Sequence, residues 1–241
     1  VDLGIRGRAA LVVAGSRGLG RATAEALAAE GVRVLVSGRT QRSLDELADS
    51  LRAGGAEVAT LAADITDPAT PAALVEATLD AFGSIDILVA NAGGPPPGRA
   101  LEVDDDQLTA AMNANLLASV RLVRSAVPSM RSRGWGRIAC ITSYSVVQPV
   151  PTLALSNTAR VGLWAWAKTA ARDLAADGSG ITLNLLCPGP HATERMRQLG
   201  GADVMGDPAD FGAVAAFLCS EQAGFVNGAA LVVDGGSTLA L

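Results

Sequence analysis

Short β-branched runs alternate with alanine-rich helical stretches along the chain, and no other feature narrows its possible folds as much. RAALVVAG (8–15), VRVLVSG (32–38), EVATLAAD (57–64) and IDILVANAG (85–93) read as strands, as do GRIACITS (136–143), GITLNLLCPG (180–189) and ALVVDGG (230–236). Between them the pattern is helical: RATAEALAAEG (21–31), QRSLDELADSLRAGG (41–55) and PAALVEATLDAFG (71–83). A long helix is expected over 104–133, another through LSNTARVGLWAWAK (155–168), and a last one near 208–220. Strands and helices in strict alternation imply βαβ units, a parallel sheet and right-handed crossovers. No linker, repeat or low-complexity segment interrupts them. The expectation is therefore an α/β protein with one doubly wound parallel sheet, helices on both faces, and a single domain over 1–241.

Composition agrees. The 241 residues suffice for one sizeable domain, and 49% hydrophobic content with mean hydropathy +0.33 suits a sheet buried on both sides. No apolar run reaches the eighteen or so residues of a membrane span, and the first residues do not read as a signal peptide. Cys140, Cys187 and Cys219 lie far apart in apolar stretches, without metal-ligand spacing, and read as buried thiols of a cytoplasmic protein. A net charge of −5 without a basic cluster argues against nucleic acid as partner. Lys168 is the one lysine, beside eighteen arginines. That bias means a lysine-to-arginine exchange carries little functional weight here.

Gly15-Ser16-Arg17-Gly18-Leu19-Gly20 joins the first strand to the first helix. Glycines there let backbone N–H groups approach a pyrophosphate, and the helix N-terminus favours its charge. A plain surface loop is the alternative, but the position between strand and helix points to a Rossmann-like dinucleotide site. Proteins that prefer NAD place a carboxylate about twenty residues beyond the glycines, to accept from the ribose 2′-OH. Between Gly31 and Leu44 there is no Asp or Glu; Arg39 stands there, and Arg17 lies in the first loop. Unless both are ordinary solvated arginines, they suit a 2′-phosphate, and the expected cofactor is NADP(H).

Further along, Asp64-Ile65 follows the third strand, Asn91-Ala92-Gly93 the fourth, and Asn115 lies in NANLLAS. Ser143 ends IACITS, Cys187-Pro188-Gly189 precedes Thr193, and Val233-Asp234-Gly235-Gly236 closes the last strand. In this order the motifs resemble the short-chain dehydrogenase/reductase family over nearly the whole chain. NAGGPPPG and LSNTARVG are similar to its 3-oxoacyl-carrier-protein reductase-like branch. The resemblance implies that Asp64 and Ile65 meet the adenine and that Asn115 holds a proton-relay water. It also implies that Ser143 bonds the substrate carbonyl, and that Pro188, Gly189 and Thr193 bracket the nicotinamide. A homodimer or homotetramer is the family habit, with Trp164 and Trp166 as interface or core residues.

Two departures concern the scaffold. The family's Thr-Gly at the end of the first strand is Val13-Ala14 here; a methyl group is tolerated there if φ stays negative. The segment from Arg195 to Asp207 is short for a substrate-covering loop.

The third departure concerns chemistry. The family's Tyr-x-x-x-Lys begins thirteen positions beyond the serine, which is Ser156, and four further on stands Arg160. Hydride transfer to a carbonyl leaves an alkoxide that must gain a proton. A phenol with pKa of about 10 is readily tuned to give one. A serine hydroxyl is a far weaker acid, and an arginine, always charged, gives none. Arg160 can still hold ribose hydroxyls, while Ser156 has a plain structural role open to it, satisfying a backbone N–H at a helix start. Tyr144, the one tyrosine, and His191, the one histidine, are rival donors. Lys168, two turns beyond Arg160 and about 12 Å along a helix, is expected outside the site.

Three functions remain in competition. The first is an NADP(H)-dependent reductase of a small carbonyl or acyl thioester with an altered proton relay. The second is a redox-silent dinucleotide-binding sensor or partner subunit. The third is a non-redox isomerase or dehydratase that uses Ser143 and Asn115 to polarise a carbonyl.

Overall fold

The computed structural model describes residues 1–239. Its seven strands are β1 (Ala9–Val12), β2 (Arg33–Gly38), β3 (Val58–Ala62), β4 (Ile87–Ala90), β5 (Gly136–Ile141), β6 (Ile181–Pro188) and β7 (Ala230–Val233). They form one sheet in the order β3-β2-β1-β4-β5-β6-β7, with every neighbouring pair parallel. Successive strand residues face opposite sides, and both sides are covered. Leu11 and Val13 pack with α3 (Thr70–Phe82), α5 (Ala118–Arg133) and α6 (Ala154–Ala176). Ala10 and Val12 pack with α1 (Gly18–Ala29), α2 (Gln41–Ala53) and α8 (Pro208–Leu218). That double burial is why the strands read as continuous apolar runs rather than alternating ones.

The strand order reverses between β1 and β4, which opens a crevice at the carboxyl ends of the strands. The turns expected to hold a nucleotide leave the sheet there. All seven expected strands are present but shorter, because the apolar runs continue into turns such as Asn91–Gly93.

One helix differs from expectation. The stretch 104–133 is not a single α-helix: α4 (Asp105–Met112) gives way to a π turn over Asn113–Leu117 before α5 begins. A capping box starts α4, with Asp104 accepting from the Gln107 backbone and Gln107 from that of Asp104. At the π turn, Asn113 donates to the Thr66 carbonyl at 2.8 Å and accepts from Arg121 at 2.7 Å. Such single wide turns concentrate at functional sites, and this one carries Asn115. Two short elements have no counterpart in the sequence pattern: a 3₁₀ turn over Tyr144–Val146 and α7 (Glu194–Gln198).

Trp164 and Trp166 are half-buried against the core. All three cysteines are free and buried, and burial pushes the thiols of Cys140 and Cys219 up to about 12. No helix among the described residues is long and apolar enough to cross a membrane.

Candidate active site

A cleft of about 1000 Å³ opens over the crevice between β1 and β4. From the first turn, Ser16, Arg17, Gly18 and Leu19 line it, and Arg39 follows from the end of β2. Gly15 does not. It lies buried beneath, its N–H donating to the Ser37 carbonyl at 2.8 Å, and a Cβ there would meet Val36 at 2.7 Å. Gly15 thus serves strand packing rather than phosphate approach. Gly20 likewise permits close packing, since a Cβ on it would lie 2.6 Å from the Ala14 carbonyl and 2.8 Å from the Asn91 side chain.

Ala14 lines the cleft with a left-handed backbone, φ +49°, the one non-glycine residue so placed among those described. The condition of a negative φ is not met. The turn needs the conformation its missing glycine would have adopted, and alanine takes it at a cost of about 1–2 kcal/mol. The Asn91 side chain holds the strained peptide, donating to the Ala14 carbonyl at 3.2 Å.

The Arg17 guanidinium donates to the Ser43 hydroxyl at 3.1 Å, beside the start of α2. Asp64 and Ile65 line the far side. Asp64 accepts from the backbone and hydroxyl of Thr66, and these bonds, with the nearby Arg39 charge, hold its carboxyl below its ordinary range. Asn91, Ala92 and Gly93 continue the wall, and Pro188, Gly189 and Thr193 close it. Thr193 also caps α7, accepting from the Met196 N–H.

The five residues singled out for chemistry all meet this cleft: Asn115, Ser143, Tyr144, Ser156 and Arg160. Ser143 accepts from the Ser145 N–H at 3.1 Å, so its own hydrogen stays free for a ligand. Ser156 lies in the first turn of α6 but caps nothing; the cap position is Leu153, without a side-chain bond. Asn115 is buried, its Oδ1 without a partner. Arg160 is 7% exposed, donates to the Ile141 carbonyl at 3.0 Å, and leaves its buried Nε unpartnered. Desolvation pushes its guanidinium down to about 10, and the Arg195 charge acts in the same direction. It stays a cation at neutral pH.

His191 also borders the cleft, but its ring is buried. Nδ1 contacts the Gly189 carbonyl at 3.1 Å, and the ring stands edge-on to Phe211 at 5.4 Å. Lys168 lies outside, donating to the Gly228 carbonyl.

A family model described as enoyl-(acyl carrier protein) reductase matches residues 13–238. The chain belongs to the short-chain dehydrogenase/reductase family. It is 32% identical over 247 residues to the 3-oxoacyl-[acyl-carrier-protein] reductase of Salmonella typhimurium, covering 97% of this chain and 98% of that one. It is 30% identical to dehydrogenase/reductase SDR family member 4 of Homo sapiens, over 95% and 87% of the two chains. Among solved structures it is similar to the L-sorbose reductase of Gluconobacter frateurii, described in complex with NADPH and L-sorbose. That match has 31% identity, full coverage of both chains and a TM-score of 0.93. An NADPH-dependent reductase involved in bacilysin biosynthesis matches at 25% identity over 97% and 99% of the chains, with a TM-score of 0.92.

One residue of this short-chain dehydrogenase/reductase goes unnoticed in the sequence. Arg195, from α7, lines the cleft and donates to the Pro95 carbonyl at 2.6 Å, across 100 positions of chain. A Cβ on Gly94 would lie 3.1 Å from its Nε. The available signal is an arginine two residues after Thr193 in the short covering segment, but nothing local announces its partner.

Proposed function

We propose that this protein is an NADP(H)-dependent carbonyl reductase working with a serine–arginine pair in place of tyrosine and lysine. The observation that carries the reading is that Asn115, Ser143, Ser156 and Arg160 border the same cleft as the nucleotide turns. NADPH-linked reductases among the similar structures support it. The residues suit that cofactor: Arg17 and Arg39 offer two cations to a 2′-phosphate, and the orphaned Nε of Arg160 awaits a ribose oxygen.

NADPH, when bound, supplies a hydride to a carbonyl carbon. Ser143, its hydrogen unclaimed, donates to the carbonyl oxygen and stabilises the charge that develops there. Ser156 adds a second hydroxyl, and Arg160 orients the ribose. Neither provides the proton. His191 is ill suited, because its ring is buried edge-on to Phe211 and its Nδ1 is turned to the Gly189 carbonyl. We therefore assign the proton to Tyr144, the single phenol in the chain, which borders the cleft directly after Ser143. With Ser156 and Arg160 in place of the tyrosine–lysine pair, this relay works slowly.

NADPH consumption with a panel of ketones and 3-oxoacyl thioesters tests the reading. Slow turnover lost in Tyr144→Phe is the expected result. Tight NADPH binding with no consumption would instead favour a redox-silent sensor or partner subunit. Exposed Leu117, Val161, Phe217 and Phe225 support a homodimer or homotetramer, checked by light scattering. The buried free thiols fit a cytoplasmic setting.

A further inference from the structure

The charges around the cleft do not balance. Four arginines border it, namely Arg17, Arg39, Arg160 and Arg195. Asp64 and Glu194 are the carboxylates there, and both are engaged: Asp64 accepts from Thr66, and Glu194 lies 3.3 Å from Arg197. NADP(H) would claim Arg17 and Arg39 with its 2′-phosphate and Arg160 with a ribose. Arg195 is then left over. Of its five N–H donors, one has a protein acceptor among the described residues, the Pro95 carbonyl. No carboxylate among those residues lies within ion-pair distance of it.

A guanidinium that borders the cleft beside the buried Arg160 cation and has no carboxylate partner is open to an anion. We propose that the cleft takes an oxo acid, with Arg195 receiving the substrate carboxylate while Ser143 holds the carbonyl to be reduced. One uncommitted guanidinium matches the single charge and planar fork of a carboxylate. A phosphate monoester, with nearly two charges, would require a second free cation, and none remains. The Arg195–Pro95 bond fixes the guanidinium by one edge and leaves the others for the ligand. The inference rests on the carbonyl-reductase reading only for the group that reacts; the carboxylate site can be tested without turnover.

The test is calorimetric binding of 3-oxobutanoate and 4-oxopentanoate, each against its methyl ester, to protein saturated with NADP⁺, where no hydride can be given. The same titrations are run without the dinucleotide. The expected result is that at least one acid binds roughly ten- to a hundredfold more tightly than its ester. That preference should vanish in Arg195→Gln and return in part in Arg195→Lys. Thermal melts of both variants should match the parent, because the side chain's single bond is to a loop carbonyl. Equal binding of acid and ester, absence of binding by either acid, or a preference that survives Arg195→Gln overturns the inference. If the acids bind through Arg195 and NADPH is never consumed, the carboxylate site stands and the reductase reading falls. If neutral ketones are reduced with no acid preference, the reverse holds.

Discussion

The two ends of the sheet treat arginine in opposite ways. At the amino end, Asp86 is 1% exposed and accepts from the Ala9 N–H, the Ser84 hydroxyl and the Arg133 guanidinium at 2.8, 3.0 and 3.1 Å. Arg8 lies 3.7 Å from the same carboxylate and 3.0 Å from Glu221. Arg137, buried beside them, donates to the carbonyls of Gly136, Gly180 and Ser220. Arg8 and Arg137 both lie over the Trp135 ring, at 3.9 and 4.4 Å from its centroid. At the carboxyl end, Arg17, Arg39, Arg160 and Arg195 have no carboxylate within ion-pair distance among the described residues. The first set is complete as structure. The second is complete only with something else bound, which is how a protein of net charge −5 comes to hold a cationic cleft.

The largest effect should come from the incomplete end. Restoring Ser156→Tyr with Arg160→Lys should raise NADPH-dependent turnover about 10²–10⁴-fold, the usual worth of a positioned acid. An unchanged rate would mean that the cleft is not a disarmed reductase site. Next comes stability. Asp86→Ala strands the Ala9 N–H and the arginines around it, and urea unfolding should record a loss of about 3–5 kcal/mol. Arg160→Met removes an uncompensated buried cation, so its unfolding free energy should stay level or rise. Equal losses in the two variants would erase the contrast between the ends. A smaller effect concerns cofactor choice. Arg39→Gln should weaken NADPH binding by roughly ten- to a hundredfold while leaving NADH nearly unaffected, read by fluorescence titration. Smallest of all, Ala14→Gly relieves the left-handed turn and should stabilise the protein by about 1 kcal/mol in the same urea experiment.

What can be read from the sequence is whatever is periodic or local. The seven strands announce themselves because each is an apolar run closed by turn residues, and the first turn because its glycines fall between strand and helix. Ser143, Ser156 and Arg160 can be placed by counting along a resemblance. The π turn at Asn113–Leu117 cannot, since its composition is that of an ordinary helix and the contacts of Asn113 with Thr66 and Arg121 that accompany it are distant in sequence or outside any local pattern. Ala14 is legible as a substitution but not in its φ, which the surrounding turn imposes. Arg195 and Asp86 are defined by partners 100 and 77 positions away, Pro95 and Ala9, that no local pattern encodes. Gly15 misleads for the reason opposite to Arg195. It looks like a ligand contact, and the neighbouring strand has already claimed its space.

Tyr144 brings a practical benefit to anyone studying this protein. The chain has no other phenol, and its three tryptophans, Trp135, Trp164 and Trp166, do not border the cleft. Tyrosinate difference absorbance, with the constant indole contribution subtracted, or a single ring-labelled resonance therefore reports from one residue that borders the cleft.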